Sequence, residues 1–286
     1  MNKLKISSTL NLHHYTKDDF LSYVRSGLEF MQNVGFDAAD FPMRFLPKSI
    51  PDIAKYAEDI KQIERKANIR FEVCHLPYST SICTHPELLP TFNDSVHRSI
   101  DLAHYLGIKY AVLHPNTVSV PEDEFDRTKS YDSVMSHLAP FVEHASKVGV
   151  NLAVENMRVV YEKYPTHRYC QTPDELCDIA DALGIGVCWD FGHANISKVN
   201  QKEGIRYVGN RLKVIHVNDN TGYDDDHILP FTGNINWNEA IEALSDVGFT
   251  GLFNYEINTN RVPSSLRKSF AEYLVCAANE MLTYYN

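Results

Sequence analysis

The sequence contains no long apolar run and no cysteine framework. No stretch reaches the roughly 18 consecutive apolar residues of a transmembrane helix, and the opening MNKLKISSTLNLHHY has no apolar segment long enough for a secretion signal. The six cysteines form no Cys-x-x-Cys pair and no dense cluster. These absences predict a cytoplasmic protein that has reduced thiols and no membrane partner.

Positive charge is also scarce. The chain has 27 Lys and Arg residues against 37 Asp and Glu residues, which gives a formal net charge of −10 at pH 7. A net negative surface disfavours the phosphate backbone of nucleic acids and the surface of anionic membranes. A nucleic acid is therefore an unfavoured partner. The sequence leaves the oligomeric state open, a homo-oligomer included.

Short strand-like runs alternate with longer segments of helical periodicity along the chain. The eight predicted strands are Leu4–Ser8, Ala38–Phe41, Arg70–His75, Tyr110–His114, Asn151–Glu155, Ile185–Asp190, Leu212–Asn218 and Gly251–Ile257. No low-complexity linker interrupts this alternation in the 286 residues. The pattern predicts an α/β fold, a single (β/α)8 TIM barrel domain over residues 1–286, with an open doubly wound sheet as the main alternative.

Six successive predicted strands finish in His, Asp or Glu. These residues are His75, His114, Glu155, Asp190 (followed by His193), His216 and Glu256. An ionised carboxylate that follows core-facing apolar residues is costly to desolvate unless it is paired or bound to a metal. Because the carboxyl ends of barrel strands meet at one face, we expect a single site there.

The strongest subset comes from the last four strands. Glu155, Asp190, His216 and Glu256 offer three carboxylates and one imidazole, a donor set that suits Mn²⁺, Mg²⁺, Co²⁺ or Zn²⁺. Three converging negative charges would repel one another strongly without a cation. The sequence therefore predicts a divalent metal site at the C-terminal end of the strands.

The loop YDDDHILPFTGNINW after the seventh predicted strand adds two further candidates. Asp225 and His227 could place an acid and an imidazole over the site, and the alternative interpretation is a solvated acidic turn. Trp189, just before Asp190, is interpreted as part of the barrel wall rather than as a surface on which a sugar stacks.

Seven motifs in fixed order carry a resemblance to a known family. They are VCHLPY, VLHPN, LAVEN, WDFGHAN, IHVND, DDHILPFTGNINW and YEIN, between about residues 70 and 258. Together they resemble the xylose-isomerase-like TIM-barrel superfamily, specifically its sugar phosphate isomerase/epimerase branch. The resemblance implies that Glu155, Asp190, His216 and Glu256 hold a divalent metal and that His193 contacts substrate oxygens.

The resemblance also implies a reaction. It points to isomerisation or epimerisation of a small sugar or polyol through a metal-stabilised enediolate, with Glu155 and Glu256 as the acid/base pair. An inosose-type dehydratase would need the same metal and base, so the sequence does not separate it from an isomerase. A sugar-binding protein without activity is disfavoured, because binding alone does not need paired glutamates.

A second chemistry on the same scaffold is the alternative. Zinc-dependent abasic-site DNA endonucleases resemble this chain at nine ligand positions, which are His75, His114, Glu155, Asp190, His193, His216, Asp225, His227 and Glu256. Their glycine-rich segments are missing here, and AVENMRVV stands in place of a small-residue run, so DNA repair ranks second. His75, His114, His193, Asp225 and His227 are thus candidates for substrate binding or a second metal. Arg158 and His227 are candidates for contact with a substrate hydroxyl or phosphate.

Overall fold

Parallel strands and their connecting helices arrange the chain as a barrel. The computed structural model describes residues 3–12, 19–47, 49–160 and 164–285. Among these residues, eight parallel strands form one sheet: β1 (Ile6–Thr9), β2 (Ala38–Pro42), β3 (Phe71–His75), β4 (Tyr110–Leu113), β5 (Asn151–Glu155), β6 (Gly186–Asp190), β7 (Leu212–His216) and β8 (Phe253–Tyr255). They lie in the order β8-β1-β2-β3-β4-β5-β6-β7.

The sheet closes almost completely on itself. β8 pairs with β1, while β7 and β8 meet only beyond the end of β7. There the N–H of Val217 donates to the carbonyl oxygen of Asn254 at 2.8 Å, and the N–H of Glu256 donates to the carbonyl oxygen of Val217 at 3.1 Å. The predicted TIM barrel is therefore confirmed, and the open doubly wound sheet is excluded.

Helices cover the outer face of the sheet. Within the described ranges they are α1 (Phe20–Val34), α2 (Ile53–Ala67), α3 (Leu89–Leu106), α4 (Arg127–Val148), α5 (Pro173–Leu183), α6 (Phe191–Ile196), α7 (Gln201–Val208), α8 (Trp237–Asp246) and α9 (Arg267–Met281). None of the helices in the described part of the chain combines the length and the apolar character needed to span a bilayer. A short antiparallel pair, Val120–Pro121 with Thr166–His167, joins two of the long loops.

Glycines end several helices of the barrel. Gly107 follows α3 with φ +73°, and its N–H donates to backbone carbonyls of the last turn. The left-handed conformation is inexpensive for glycine, so each helix can stop and turn directly into the next strand. Short connections of this kind hold the strand ends in register around the barrel.

Apolar packing occurs in two places. The larger core lies between the sheet and the helices, and it contains Trp189, whose ring packs over Gly204 and whose indole N–H donates to Gln201 Oε1 at 2.9 Å. A smaller cluster inside the barrel takes one residue from each of β3 to β7, namely Val73, Val112, Ala153, Cys188 and Val214. The interpretation of Trp189 as wall packing is confirmed.

The remaining strands line the barrel interior with polar side chains. Asn254 of β8 donates to Asp40 Oδ2 of β2 at 2.9 Å, so these side chains meet across β1 inside the barrel. Thr9 of β1 also donates to Asp40 Oδ2, at 3.4 Å. The barrel interior is therefore apolar on one side and polar on the other.

Candidate active site

The acidic and imidazole side chains at the strand ends converge at one face of the barrel. Glu155, Asp190 and His216 are the last residues of β5, β6 and β7, and Glu256 directly follows β8. One oxygen or nitrogen of each lies within 4.8 Å of those of the other three. The register of β6 and β7 places Asp190 directly beside His216. Parallel strands thus bring together the four residues predicted to bind metal.

His216 lies between the two glutamates. Its Nδ1 is 3.2 Å from Glu155 Oε1 and 3.1 Å from Glu256 Oε2. Burial alone would raise the pKa of Glu155, but the positive charge of His216 and a hydrogen bond with His114 hold it well below the ordinary value. Burial also acts to raise the pKa of Glu256, but the positive charges of His216 and His227 outweigh this effect, so its pKa is lowered as well. Both glutamates are therefore carboxylates at neutral pH.

A second group forms around the other oxygen of Glu155. Glu155 Oε2 lies 3.2 Å from His75 Nε2 and 3.1 Å from His114 Nε2, and the two nitrogens are 3.1 Å apart. His75 Nδ1 donates to the carbonyl oxygen of Leu76 at 2.8 Å. Burial opposes the protonation of His75, but Glu155 raises its pKa, whereas burial lowers the pKa of His114 to about 4 and keeps that ring neutral. A proton on His75 or a bound cation would offset the negative charge of Glu155 in this group.

A third group centres on Asp225 in the loop after β7. Asp225 Oδ1 is 3.5 Å from His193 Nε2 and 3.2 Å from His227 Nε2, and Asp225 Oδ2 is 3.0 Å from Arg158 Nε. Burial lowers the pKa of His193, but the charges of Asp190 and Asp225 raise it to about 9. Asp225 faces the site, so the interpretation of a solvated turn is wrong for this residue, although its neighbours Asp224 and Asp226 are exposed.

Asp190 is held by residues that sequence reasoning did not single out. Asn156 binds its backbone on both sides, since Asp190 N donates to Asn156 Oδ1 at 2.6 Å and Asn156 Nδ2 donates to Asp190 O at 3.0 Å. Asn218 Nδ2 donates to Asp190 Oδ2 at 2.7 Å, and the N–H of His193 donates to Oδ1 at 2.7 Å. The signal was available, because each asparagine follows a candidate ligand within the motifs LAVEN and IHVND.

Asp219 organises the loop that carries Asp225 and His227. Its buried carboxylate accepts four hydrogen bonds of 2.9–3.3 Å, from the N–H groups of Asn220, Phe231 and Ile235 and from the indole of Trp237. A Cβ at Gly233 would lie 2.2 Å from Asp219 Oδ1, so glycine is needed where the chain passes this carboxylate. The motif DDHILPFTGNINW therefore encodes a loop wrapped around Asp219.

The donor chemistry of the site fits a divalent cation. Glu155, Asp190, His216 and Glu256 supply three carboxylates and one imidazole, and hard divalent ions accept such a mixed set. Two overlapping groups have similar character, His75 with His114 and Glu155, and Asp190 with His193 and His227. The residues present thus suit one ion well and offer positions for more.

Comparison with known proteins identifies a family and several relatives of this chain. The family model of the xylose isomerase-like TIM barrel matches residues 28–273. An uncharacterized protein of Methanocaldococcus jannaschii, MJ1311, is 26% identical over 261 residues, which cover 87% of this chain and 84% of that protein. The inosose isomerase of Bacillus velezensis is 23% identical over 255 residues, 82% of this chain and 84% of that enzyme.

Solved structures agree on the fold. The structure of L-ribulose 3-epimerase superposes with a TM-score of 0.76 at 16% identity, over 98% of this chain and 95% of that one. The resemblance to xylose-isomerase-like TIM barrels that the motifs indicated is confirmed by the family model. The relatives include sugar isomerases and epimerases, and the chain itself belongs to the xylose isomerase-like TIM barrel family.

Proposed function

We propose that the protein is a metal-dependent isomerase or epimerase of a small sugar or sugar derivative. The observation that carries the proposal is the pair of carboxylates, the buried Glu155 and the half-buried Glu256, that flank His216 at 3.2 and 3.1 Å. Binding a sugar would not need two ionised glutamates in one group, whereas moving a proton between two positions of a sugar does. The activities of related isomerases and epimerases support the same substrate class.

Glu155, Asp190, His216 and Glu256 would hold the metal. A divalent ion bound there supplies Lewis-acid polarisation of a substrate carbonyl and its neighbouring hydroxyl. The two glutamates are ionised at the site, because His216 lowers the pKa of both by more than burial raises it. They are consequently available as proton acceptors at neutral pH.

The two glutamates divide the proton transfer. One glutamate removes the proton from the carbon beside the carbonyl, which leaves an enediolate and a neutral glutamic acid. In isomerisation this acid returns the proton to the neighbouring carbon; in epimerisation the other glutamate first takes a proton from solvent and delivers it to the opposite face, and the first releases its proton to solvent. His193 and His227, whose Nε2 atoms both contact Asp225 Oδ1, would orient a substrate hydroxyl. Expulsion of a neighbouring hydroxyl from the enediolate would instead give the dehydratase reaction of the inosose type.

A substrate panel in deuterated water tests the proposal. Ketoses and inositol derivatives, assayed with added Mn²⁺, should include at least one compound that is interconverted with incorporation of deuterium at the carbon beside the carbonyl. A product lighter by one water would identify the dehydratase. Absence of proton exchange with every compound, in protein shown to contain metal, would contradict the proposal.

The second candidate function is zinc-dependent cleavage of abasic DNA. The observation that favours it is the presence of three overlapping donor groups around Glu155, Asp190 and His216, which would suit several zinc ions. The net charge of −10 disfavours a DNA substrate. Element analysis separates the two: about one Mn, Co or Mg per chain supports sugar chemistry, and two or three Zn with cleavage of an abasic oligonucleotide supports the alternative.

Removing the side chain of Asn156 should weaken metal binding. Asn156→Ala frees the backbone of Asp190 and should lower metal affinity by about 10- to 100-fold, the usual effect of losing a group that orients a ligand. Isothermal titration with Mn²⁺ measures the change. Asn151→Ala is the matched control, since Asn151 is exposed at the start of the same strand. Equal affinities in the two variants would show that Asn156 does not position the ligand.

A further inference from the structure

Arg168, in the segment between β5 and α5, is a half-buried cation that forms no ion pair with the residues that the structure describes. Its Nε donates to the carbonyl oxygen of Thr117 at 3.0 Å and lies 3.3 Å from Thr117 Oγ1. These are neutral acceptors, and no carboxylate in the described part of the chain forms an ion pair with Arg168. Burial lowers the pKa of Arg168 and the nearby charge of Arg158 lowers it further, while the negative charge of Asp225 offsets part of this shift.

Two connections place Arg168 above the carboxyl ends of β4 and β5. Thr117 is three residues beyond His114, and its hydroxyl donates to the carbonyl oxygen of Tyr169 at 3.1 Å. The N–H of Met157, two residues beyond Glu155, donates to the carbonyl oxygen of Cys170 at 2.8 Å. The segment that carries Arg168 is therefore fastened to both loops that leave the candidate metal site.

The other arginine of this rim is already neutralised. Arg158 Nε lies 3.0 Å from Asp225 Oδ2, and Asp225 Oδ1 contacts His193 and His227 at the site. The direct ion pair of Asp225 is thus made with Arg158, and the negative charge of Asp225 acts on Arg168 only at longer range. Burying part of the charge of Arg168 is unfavourable unless an anion joins it.

We propose that Arg168 binds an anionic group of the substrate, a phosphate or a carboxylate, at the end of the sugar away from the reacting carbons. The guanidinium fork matches both groups, which accept two parallel hydrogen bonds from it. The inference rests on the proposed sugar chemistry, and it narrows the substrate class to sugars that carry a negative charge.

Inorganic phosphate serves as the binding probe for the metal-loaded protein. Isothermal titration should show phosphate binding to the wild type and a loss of at least about tenfold in affinity in Arg168→Gln, the scale of a charge-assisted pair. Arg206→Gln, which removes a surface arginine paired with Asp246, should bind like the wild type. Undetectable binding to the wild type, or equal affinity in Arg168→Gln, would overturn the inference.

A second variant keeps the test decisive if Arg168→Gln does not fold. Arg168→Lys keeps the charge but cannot form two parallel hydrogen bonds, so it should bind phosphate more weakly than the wild type and more tightly than Arg168→Gln. If Arg168→Gln does not fold, as judged by circular dichroism, the comparison of Arg168→Lys with the wild type decides. Unchanged affinity in Arg168→Lys would then count against the inference.

Turnover distinguishes the source of the negative charge. Wild type and Arg168→Gln are compared on neutral sugars, sugar phosphates and sugar acids, and the variant should lose kcat/KM only on the charged class that the wild type prefers. A wild type that turns over no sugar, yet binds phosphate through Arg168, would refute the proposed function and leave the anion site standing. If the wild type and Arg168→Gln turn over all three classes equally well, the anion site is refuted and the proposed function stands.

Discussion

The Glu155→Gln variant is expected to lose at least about a thousandfold in kcat while its fold is retained. Glu155 is the hub of the site, since its two oxygens contact His75, His114 and His216 within 3.2 Å. Glutamine preserves the shape of the side chain and removes the negative charge that accepts a proton and binds a cation. Steady-state kinetics on the identified substrate, with circular dichroism for the fold, measures the effect.

Glu256→Gln should show a loss of similar size. Its side chain is 26% exposed, so the substitution disturbs packing less than at the fully enclosed Glu155. The matched control is Glu242→Gln, which makes the same chemical change on the surface, where Glu242 pairs with Lys202. Near-normal turnover in either site variant would show that a mechanism with two glutamates is wrong.

Removal of divalent metal should abolish activity and lower the melting temperature. Three carboxylates converge at the site, and without a cation their mutual repulsion opposes the folded state. For a metal present at about a thousand times its Kd, the stabilisation lost on removal corresponds to a fall in Tm on the order of 10 °C. Thermal melts and activity, before and after a chelator and again after adding Mn²⁺, test both effects.

The control for metal removal is a protein that has lost a ligand. Asp190→Asn removes one of the three negative charges, so its Tm should depend little on the chelator. Full activity in chelator-treated protein, with element analysis confirming that metal is gone, would contradict a metal-dependent mechanism.

Much of the site could be predicted because barrel topology converts sequence position into spatial position. Glu155, Asp190 and His216 each end a strand, and neighbouring parallel strands carry their last residues to the same face. The alternation of strand-like runs with segments of helical periodicity is a local signal, so the fold followed from it. No knowledge of distant contacts was needed for these residues.

The loops could not be predicted in the same way. The position of Asp225 depends on hydrogen bonds between Asp219 and groups 12 to 18 residues further along the chain. The pairing of Arg158 with Asp225 joins two loops that are far apart in sequence. Such contacts carry no periodic pattern, and only the folded chain brings their members together.

Asp190 combines a structural role with its predicted role as a metal ligand. Its Oδ1 caps the N-terminus of α6 by accepting the N–H of His193, while the same carboxylate belongs to the predicted metal-binding group. A cap restrains the carboxylate and leaves oxygen lone pairs free for another partner. The short helix after β6 is therefore part of how the site is built.

The apolar cluster inside the barrel separates folding from chemistry. Val73, Val112, Ala153, Cys188 and Val214 pack beneath the strand ends, and the groups that would recognise a substrate stand above them on loops. Loop residues such as Arg168 can be exchanged without repacking that layer. Substitutions confined to the loops could therefore change which substrate binds, while the strand-end residues and the barrel beneath them stay the same.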